Sequence, residues 1–179
     1  MAQAQLLYVG TQEGVAILSN PGRTDRWLTV GHELPAEQVI AVACQADGPM
    51  NATVWTAAGA VYHTADGGQS WETLAAPGAL PAPRVGLEFA GGPPASVRVS
   101  ADGLGLERSG DGGASWQRLE IDSLGSWTVI GVPEYHPDIA YAATSQGDVW
   151  HSTDRGRTWL RIKRDLPPVT ALAIGRVIS

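Results

Sequence analysis

The stretch that decides the fold is Thr64-Ala65-Asp66-Gly67-Gly68-Gln69-Ser70-Trp71. The same arrangement returns at Ser109-Gly110-Asp111-Gly112-Gly113-Ala114-Ser115-Trp116 and at Ser152-Thr153-Asp154-Arg155-Gly156-Arg157-Thr158-Trp159. The shared pattern is a hydroxyl residue, any residue, Asp, any residue, Gly, any two residues and Trp. We call this eight-residue segment the octet. A degenerate copy at residues 20–27 keeps only the final Trp in place.

The octets recur at a nearly constant period. Their tryptophans are separated by 44, 45 and 43 residues: Trp27, Trp71, Trp116 and Trp159. Four glycines keep the same period: Gly14, Gly59, Gly103 and Gly147. A period of about 40–50 residues with short strands is typical of a β-propeller. We therefore predict one all-β domain over residues 1–179, with repeats at about 6–50, 51–94, 95–138 and 139–179.

Each repeat is predicted to hold four short strands, A to D. In the second repeat, strands A, B, C and D are expected over 39–44, 52–56, 60–64 and 71–74. A turn at Ala58-Gly59 joins B to C, and the octet joins C to D. Turns centred on Gly or Asp-Gly are typical of β-hairpins. No stretch has the pattern of a helix of useful length.

The two ends of the chain complement each other. The sequence starts at a B strand, 6–11, and ends at an A strand, 169–174, so we expect a complete set of four blades. The last strand can join its own first repeat and close a four-bladed ring. Alternatively, it can join a second chain and form an eight-bladed ring as a strand-exchanged homodimer. Small inner-strand residues such as Ala41 and Gly131 favour the monomer, because they permit close approach at the axis.

Composition excludes several classes of function. The chain carries a net charge of −6 with a pI of about 5.1, which argues against binding to nucleic acid or an anionic membrane. No apolar run approaches the roughly 20 residues of a membrane span, and the N-terminus lacks a signal-peptide pattern. The single cysteine, Cys44, cannot form an intrachain disulfide. We therefore expect a soluble, cytoplasmic protein.

The octet closely resembles the Asp box, or BNR repeat, of sialidase-like propellers. Related repeats occur in xyloglucanases, the sortilin ectodomain and photosystem II assembly propellers. The resemblance extends over essentially the whole chain through the repeat period, although such relatives usually have six or more blades. It implies a β-propeller whose octets lie in the C–D turns at the outer rim, away from the active sites of the enzymes in this group.

The chemistry of the octet also favours a structural role. The Asp carboxylate can accept backbone N–H bonds, the second Gly can adopt positive φ, and the Trp can pack over the turn. One Asp per loop supplies too few oxygens for calcium. The predicted structural residues are Thr64, Asp66, Gly68, Trp71, Ser109, Asp111, Gly113, Trp116, Ser152, Asp154, Gly156 and Trp159.

No catalytic, cofactor-binding or metal-binding set stands out. The resemblance implies that a sialidase-like enzyme needs an arginine cluster, a Tyr–Glu pair and an acid/base Asp. The arginine motif is not recognisable, and Glu134-Tyr135 are sequence neighbours that we expect in a loop. The four histidines lack metal-ligand spacing. The sequence therefore favours a protein that is not an enzyme and uses no cofactor.

Repeat alignment shows charged residues at positions that are apolar elsewhere. These residues are Glu88, Arg98 and Glu107 of the third repeat. If Asp102-Gly103 form the turn, Arg98 lies opposite Glu107, and Glu88 is expected across Arg98 on the other side. We predict a Glu88–Arg98–Glu107 ion ladder that packs between blades and fixes their register. One alternative is a ligand site reached from the channel, and the other is a misalignment caused by the extra residue in strand C of this repeat.

The function that these observations favour is a non-catalytic binding or scaffold module for a protein or glycan. Its candidate face consists of the D–A connectors, 32–38, 75–83, 120–126 and 163–168, together with the B–C turns. Connectors that vary while strands repeat are how a rigid scaffold carries a variable site. A sialidase-like glycoside hydrolase is the alternative that the resemblance implies. A third possibility is a repeat unit whose purpose is assembly itself.

Overall fold

The computed structural model describes residues 4–22, 26–45, 48–76, 78–133 and 136–177. These residues form sixteen β-strands in four sheets of four strands each. Within the described ranges no helix is long and apolar enough to cross a membrane. Four-stranded sheets of consecutive antiparallel strands are the blades expected of a β-propeller. The all-β prediction with four strands per repeat is therefore confirmed.

The strands are numbered in chain order. One sheet has the order β16-β1-β2-β3, with β1 Ala4–Thr11, β2 Gly14–Asn20, β3 Leu28–Glu33 and β16 Val169–Val177. The next holds β4 Val39–Gln45, β5 Gly48–Thr56, β6 Val61–Thr64 and β7 Glu72–Thr73. The third holds β8 Gly86–Glu88, β9 Ser96–Val99, β10 Leu106–Ser109 and β11 Gln117–Arg118. The fourth holds β12 Trp127–Gly131, β13 Ala140–Thr144, β14 Val149–Ser152 and β15 Leu160–Lys163.

The C-terminal strand β16 lies beside β1 of the same chain. Other strands are shorter than expected. The outermost strands β7 and β11 have only two residues each. All of these residues are exposed, so no buried side chain in them stabilises a longer strand pairing. Strand β8 ends at Glu88, and one further bond, from Phe89 N to Ala95 O at 2.9 Å, precedes the loop Gly91-Gly92-Pro93-Pro94, where proline cannot donate to a ladder.

The chain forms two compact units, one of residues 1–83 and 170–179 and the other of residues 84–169. Each unit has its own apolar core between two sheets. The first core includes Tyr8, Ile17, Val54 and Ala171. The second includes Phe89, Val97, Leu106, Trp127 and Trp150. Trp127 and Trp150 meet with ring centroids 6.0 Å apart.

A buried hydroxyl closes each B–C turn. Thr11 Oγ1 donates to Gly14 O at 2.9 Å, Thr56 Oγ1 to Ala60 O at 3.1 Å and Ser100 Oγ to Gly105 O at 3.0 Å. Thr144 Oγ1 instead accepts from the amide of Asp148 at 3.3 Å. Thr11, Thr56, Ser100 and Thr144 keep the repeat period in the sequence, in addition to the glycines and tryptophans.

The period-marking glycines lie in these turns and have positive φ, between +73° and +110°. They differ in surroundings. A Cβ on Gly147 would lie 1.8 Å from the carbonyl oxygen of Leu166, in the following connector. A Cβ on Gly103 would meet nothing within 4 Å. The B–C turn is therefore packed tightly against a connector in the fourth repeat, whereas the turn of the third repeat has free space around its glycine.

We expect Gly147→Ala to destabilise the protein far more than Gly103→Ala. Both substitutions place a side chain at positive φ, which costs about 1 kcal/mol. Only Gly147→Ala also drives Cβ into backbone, which cannot rotate away. Denaturant unfolding of both variants measures the difference in the free energy of unfolding. Equal losses would show that the Gly147–Leu166 contact does not constrain the turn.

Candidate functional site

The octet of the second repeat is held by a compact set of hydrogen bonds. Thr64 Oγ1 accepts from the amide of Gly68 at 2.9 Å and donates to Asp66 Oδ1 at 2.8 Å. Asp66 in turn accepts from the amide of Ser70 at 2.9 Å and from its hydroxyl at 2.6 Å. One hydroxyl and one carboxylate thus tie both ends of the turn to its centre.

The same bonds recur in the other two octets. Asp111 accepts from the amide and hydroxyl of Ser115 at 2.9 and 2.6 Å, and Ser109 Oγ accepts from Gly113 N at 2.8 Å. Asp154 accepts from the amide and hydroxyl of Thr158 at 2.9 and 2.6 Å. Ser152 Oγ accepts from Gly156 N at 2.9 Å. The carboxylates are therefore used within their own loops.

The octet glycines also mark close packing. Gly68, Gly113 and Gly156 have φ of +92°, +90° and +76°. A Cβ on Gly68 would lie 2.0 Å from Ile17 Cδ1, and one on Gly156 would lie 2.3 Å from Val97 Cγ2. These two loops therefore rest on side chains of the preceding repeat.

The octet tryptophans are not equivalent. The indole N–H of Trp116 donates to Gly113 O at 3.1 Å, and that of Trp159 donates to Gly156 O at 3.2 Å. Trp71 Nε1 is buried and has no acceptor among the residues that the structure describes.

Arg155 makes contacts that the repeat pattern does not predict. It occupies the octet position held by Gly67 and Gly112 elsewhere, yet it has a φ of +60°. Its guanidinium donates to the carbonyls of Phe89, Ala90, Gly91 and Pro93 at 2.6–3.2 Å and pairs with Asp138 at 3.2 Å. These bonds offset the cost of the left-handed backbone, which is about 1–2 kcal/mol. They hold the A–B loop of the third repeat in place.

The predicted ion ladder is correct for only two of its three members. Arg98 lies opposite Glu107, and its Nε is 2.7 Å from Glu107 Oε2. Glu88 lies opposite Ser96, whereas Gly86 lies opposite Arg98, so the predicted third member is wrong. The short strand β8 pairs two residues out of the assumed register.

The position of the ladder is also corrected. Arg98 is 46% exposed, so the pair lies at the surface and is not packed between blades. The guanidinium of Arg98 instead covers the ring of Trp116, 4.0 Å from its centroid. Across the next strand pair, Arg118 lies opposite Glu107. The charged row therefore runs toward the outer edge of the sheet, where surface ion pairs contribute about 0–1 kcal/mol each.

A cavity of about 360 Å³ lies in the loop face of the third repeat. It is lined by Leu104, Gly105, Leu106, Arg118, Leu119, Glu120, Ile121 and Trp127. Backbone bonds fix its walls, because Leu119 N donates to Leu106 O and Trp127 N donates to Gly103 O, both at 2.8 Å. The structure thus brings together a B–C turn and a D–A connector that the sequence assigns to the candidate face.

The charged side chains at this cavity differ in whether they form ion pairs. Arg118 Nη1 pairs with Asp102 Oδ2 at 2.8 Å, and Asp102 also accepts from the amide of Leu104 at 2.9 Å. Hydrogen bonds from Arg118, Ser100 and Leu104 hold the pKa of Asp102 well below its usual range. Glu120 has no ion pair within the described part of the chain. The rim therefore offers one carboxylate that is free to pair with a ligand.

The described residues do not assemble an evident catalytic centre. Glu134-Tyr135 lie outside the described residues. Another pair is formed by Tyr62, whose hydroxyl donates to Glu37 Oε1 at 2.9 Å. That hydrogen bond raises the pKa of Tyr62, which opposes formation of a phenolate nucleophile. Across the described ranges, no three His, Cys, Asp or Glu side chains are grouped as metal ligands.

Comparison with known proteins gives limited matches. No family model matches the sequence. The vacuolar protein sorting/targeting protein 10 of Ajellomyces capsulatus (strain NAm1 / WU24) is 39% identical over 61 residues. That segment is 34% of this chain and 4% of the relative, so the chain spans only a small part of that protein.

Three solved structures are similar at low identity. The GH74 enzyme of Niastella koreensis is 14% identical over 90% of this chain and 24% of its own, with a TM-score of 0.37. YCF48 bound to D1 peptide is 15% identical over 89% of this chain and 81% of its own chain, with a TM-score of 0.30. A chain of a nidogen/laminin complex is 15% identical over 93% of this chain and 64% of its own length, with a TM-score of 0.38. The fold assignment rests on the four sheets described above.

We expect the free energy of unfolding to fall in acid, because the octet carboxylates then become protonated. Hydrogen bonds from Ser115 and Ser109 lower the pKa of Asp111 to about 2. The unfolded value is about 3.9, so the stabilisation is complete above that pH and is lost as pH falls toward 2. The free energy of unfolding of wild type should therefore exceed that of Asp111→Asn near neutral pH, and the gap should shrink in acid.

Denaturant unfolding at several pH values measures this gap. Asp122→Asn is the matched control, because Asp122 is exposed and has no hydrogen-bond partner within the described ranges. The free energy of unfolding of Asp122→Asn should differ little from that of wild type at every pH. A gap for Asp111→Asn that is unchanged between neutral and strongly acid solution would contradict the role assigned to this carboxylate.

Proposed function

We propose that this chain is a non-catalytic binding module that presents its loop face to a protein partner. The cavity of the third repeat carries this proposal. Its volume of about 360 Å³ is within the range of about 300–1,000 Å³ that is common for ligand pockets. Its walls stand on paired backbone and are largely pre-formed, which lowers the entropic cost of binding.

The lining favours an apolar side chain of a peptide as the anchor. Leu119 and Ile121 are half-buried in the lining and Leu104 at its edge is 56% exposed, whereas Leu106 is fully buried behind them. An apolar group seated among these side chains would remove this surface from water. A sugar ring prefers the exposed face of an aromatic residue, but Trp127 is only 4% exposed. The lining therefore supports a peptide more strongly than a glycan.

Charge favours a basic residue beside that anchor. Arg118 is already paired with Asp102, whereas Glu120 is exposed on the connector without an ion pair in the described ranges. A Lys or Arg next to the apolar residue would meet the Glu120 carboxylate at the rim. Rim charges contribute mainly to specificity and association rate.

Selection of displayed random peptides on the purified protein tests this function. We expect enriched peptides to combine an apolar anchor with a basic neighbour. Leu104→Asp should weaken their binding by about tenfold or more, because it places a charge at the apolar wall. Glu120→Gln should reduce the preference for the basic residue without removing that for the apolar one.

Leu160→Asp is the matched control, since Leu160 is 49% exposed on β15 and does not line the cavity. It should change peptide affinity by less than about twofold, as surface substitutions outside a contact do. Equal binding of the selected peptides to wild type and Leu104→Asp would contradict the proposal. Turnover of aryl glycosides at enzyme-like rates would instead favour a sialidase-like glycoside hydrolase.

A further inference from the structure

The outermost strand of the third sheet has one backbone edge that pairs with no strand of the described chain. β11 is the end strand of its sheet and pairs with β10, where Arg118 lies opposite Glu107. At the next position, Leu119 N donates to Leu106 O at 2.8 Å. Bonded and non-bonded positions alternate along an antiparallel pair. The amide and carbonyl of Leu119 therefore face β10, whereas those of Arg118 and Glu120 face away from the sheet.

The outward backbone groups are available for pairing. Exposure alternates along this run as in an extended chain, since Arg118 and Glu120 are exposed while Leu119 and Ile121 are half-buried. Within the described ranges, no group forms a hydrogen bond with the backbone amide or carbonyl of Arg118 or Glu120. An open edge of this kind is a template for a further strand.

The peptide cavity borders this edge. Arg118, Leu119 and Glu120 all line it, whereas none of its lining residues belongs to the outer strands β3, β7 or β15. Leu106 lies opposite Leu119 on the next strand, so these two side chains share one face of the sheet. A strand added at the edge would place one of its side chains beside Leu119 on that face, about 4.5–5.5 Å away between Cβ atoms. This position fits the apolar anchor.

The side chains on either side of that anchor would point to the opposite face, where Arg118 and Glu120 lie. Arg118 is already paired with Asp102 at 2.8 Å. Glu120 forms no ion pair with any described residue. A basic residue opposite Glu120 would therefore gain a cross-strand charge pair, whereas an acidic residue there would be repelled.

We propose that a peptide binds this edge as a fifth strand of the third sheet, antiparallel to β11, with an apolar residue opposite Leu119 and a basic residue opposite Glu120. This inference rests on the peptide-binding function proposed above and adds the mode and direction of binding. Antiparallel pairing is the more stable per residue. An antiparallel peptide runs from Glu120 toward Arg118, so its basic residue immediately precedes its apolar anchor.

Two substitutions at one position separate backbone pairing from charge. The probe is the most enriched peptide of the displayed library, synthesised with both ends capped. Glu120→Ala removes the carboxylate and keeps the amide N–H, whereas Glu120→Pro removes both. Glu120→Pro should bind the probe about threefold or more weakly than Glu120→Ala, the effect of losing one backbone hydrogen bond. The amide of Glu120 has no acceptor in the described ranges, so proline removes no bond from the free protein, and denaturant unfolding of both variants checks the fold.

Backbone N-methylation of the probe tests the same pairing on the wild-type protein. In the antiparallel arrangement, the amides of the basic residue and of the residue after the anchor face β11, whereas the amide of the anchor faces away. Methylation at either of the first two positions should weaken binding by about threefold or more. Methylation at the anchor should change affinity by less than about twofold, because no bond to the protein is lost there.

The outcomes distinguish the binding mode from the function itself. Equal affinity of Glu120→Pro and Glu120→Ala, or equal effects of methylation at all three amides, would overturn strand addition. Selection of the basic residue after the anchor would overturn the antiparallel direction. In each case the peptide function would stand if Leu104→Asp still weakened binding. Failure to enrich any peptide would overturn the proposed function and this inference together.

Discussion

The hydroxyl-to-carboxylate bond inside each octet is the interaction on which the rest of the structure depends. The outer strands β7 and β11 have two residues each, too few to hold a hairpin by ladder bonds alone. Thr64, Ser109 and Ser152 instead bind a glycine amide and an aspartate at once. Side chains thus complete the turns, and the glycines allow two of these turns to pack on the preceding repeat.

Turns fixed in this way leave other segments free to vary. In the third repeat, one end of β10 leads to the cavity. The cavity consists of side chains that the repeat pattern does not specify, placed by backbone that it does specify. A rigid scaffold with variable loops is the usual basis of binding sites in repeat proteins. The proposed functions therefore concern recognition and not chemistry.

The sequence predicts the four sheets well. The period of the octets, the glycines of the B–C turns and the pattern of short strands all indicate the same structure. It predicts the Arg98–Glu107 pair because hairpin register follows from the turn. It fails at Glu88, since β8 has only three residues and pairs two residues away from the register that the repeat alignment assumes. Arg155 was missed because its octet position tolerates any residue, and only the folded loop shows the carbonyls that it binds. The cavity likewise requires the folded positions of two loops.

Amide hydrogen exchange tests most directly whether the octets are the fixed points of the fold. The amides of Gly113 and Ser115 lie in an exposed loop but donate to Ser109 and Asp111. We predict that they exchange at least about a hundredfold more slowly than the connector amides of Asp122, Leu124 and Gly125, which have no acceptor within the described ranges. Asp111→Asn should reduce this protection at Ser115. Exchange of the octet amides as fast as that of the connector would contradict the account.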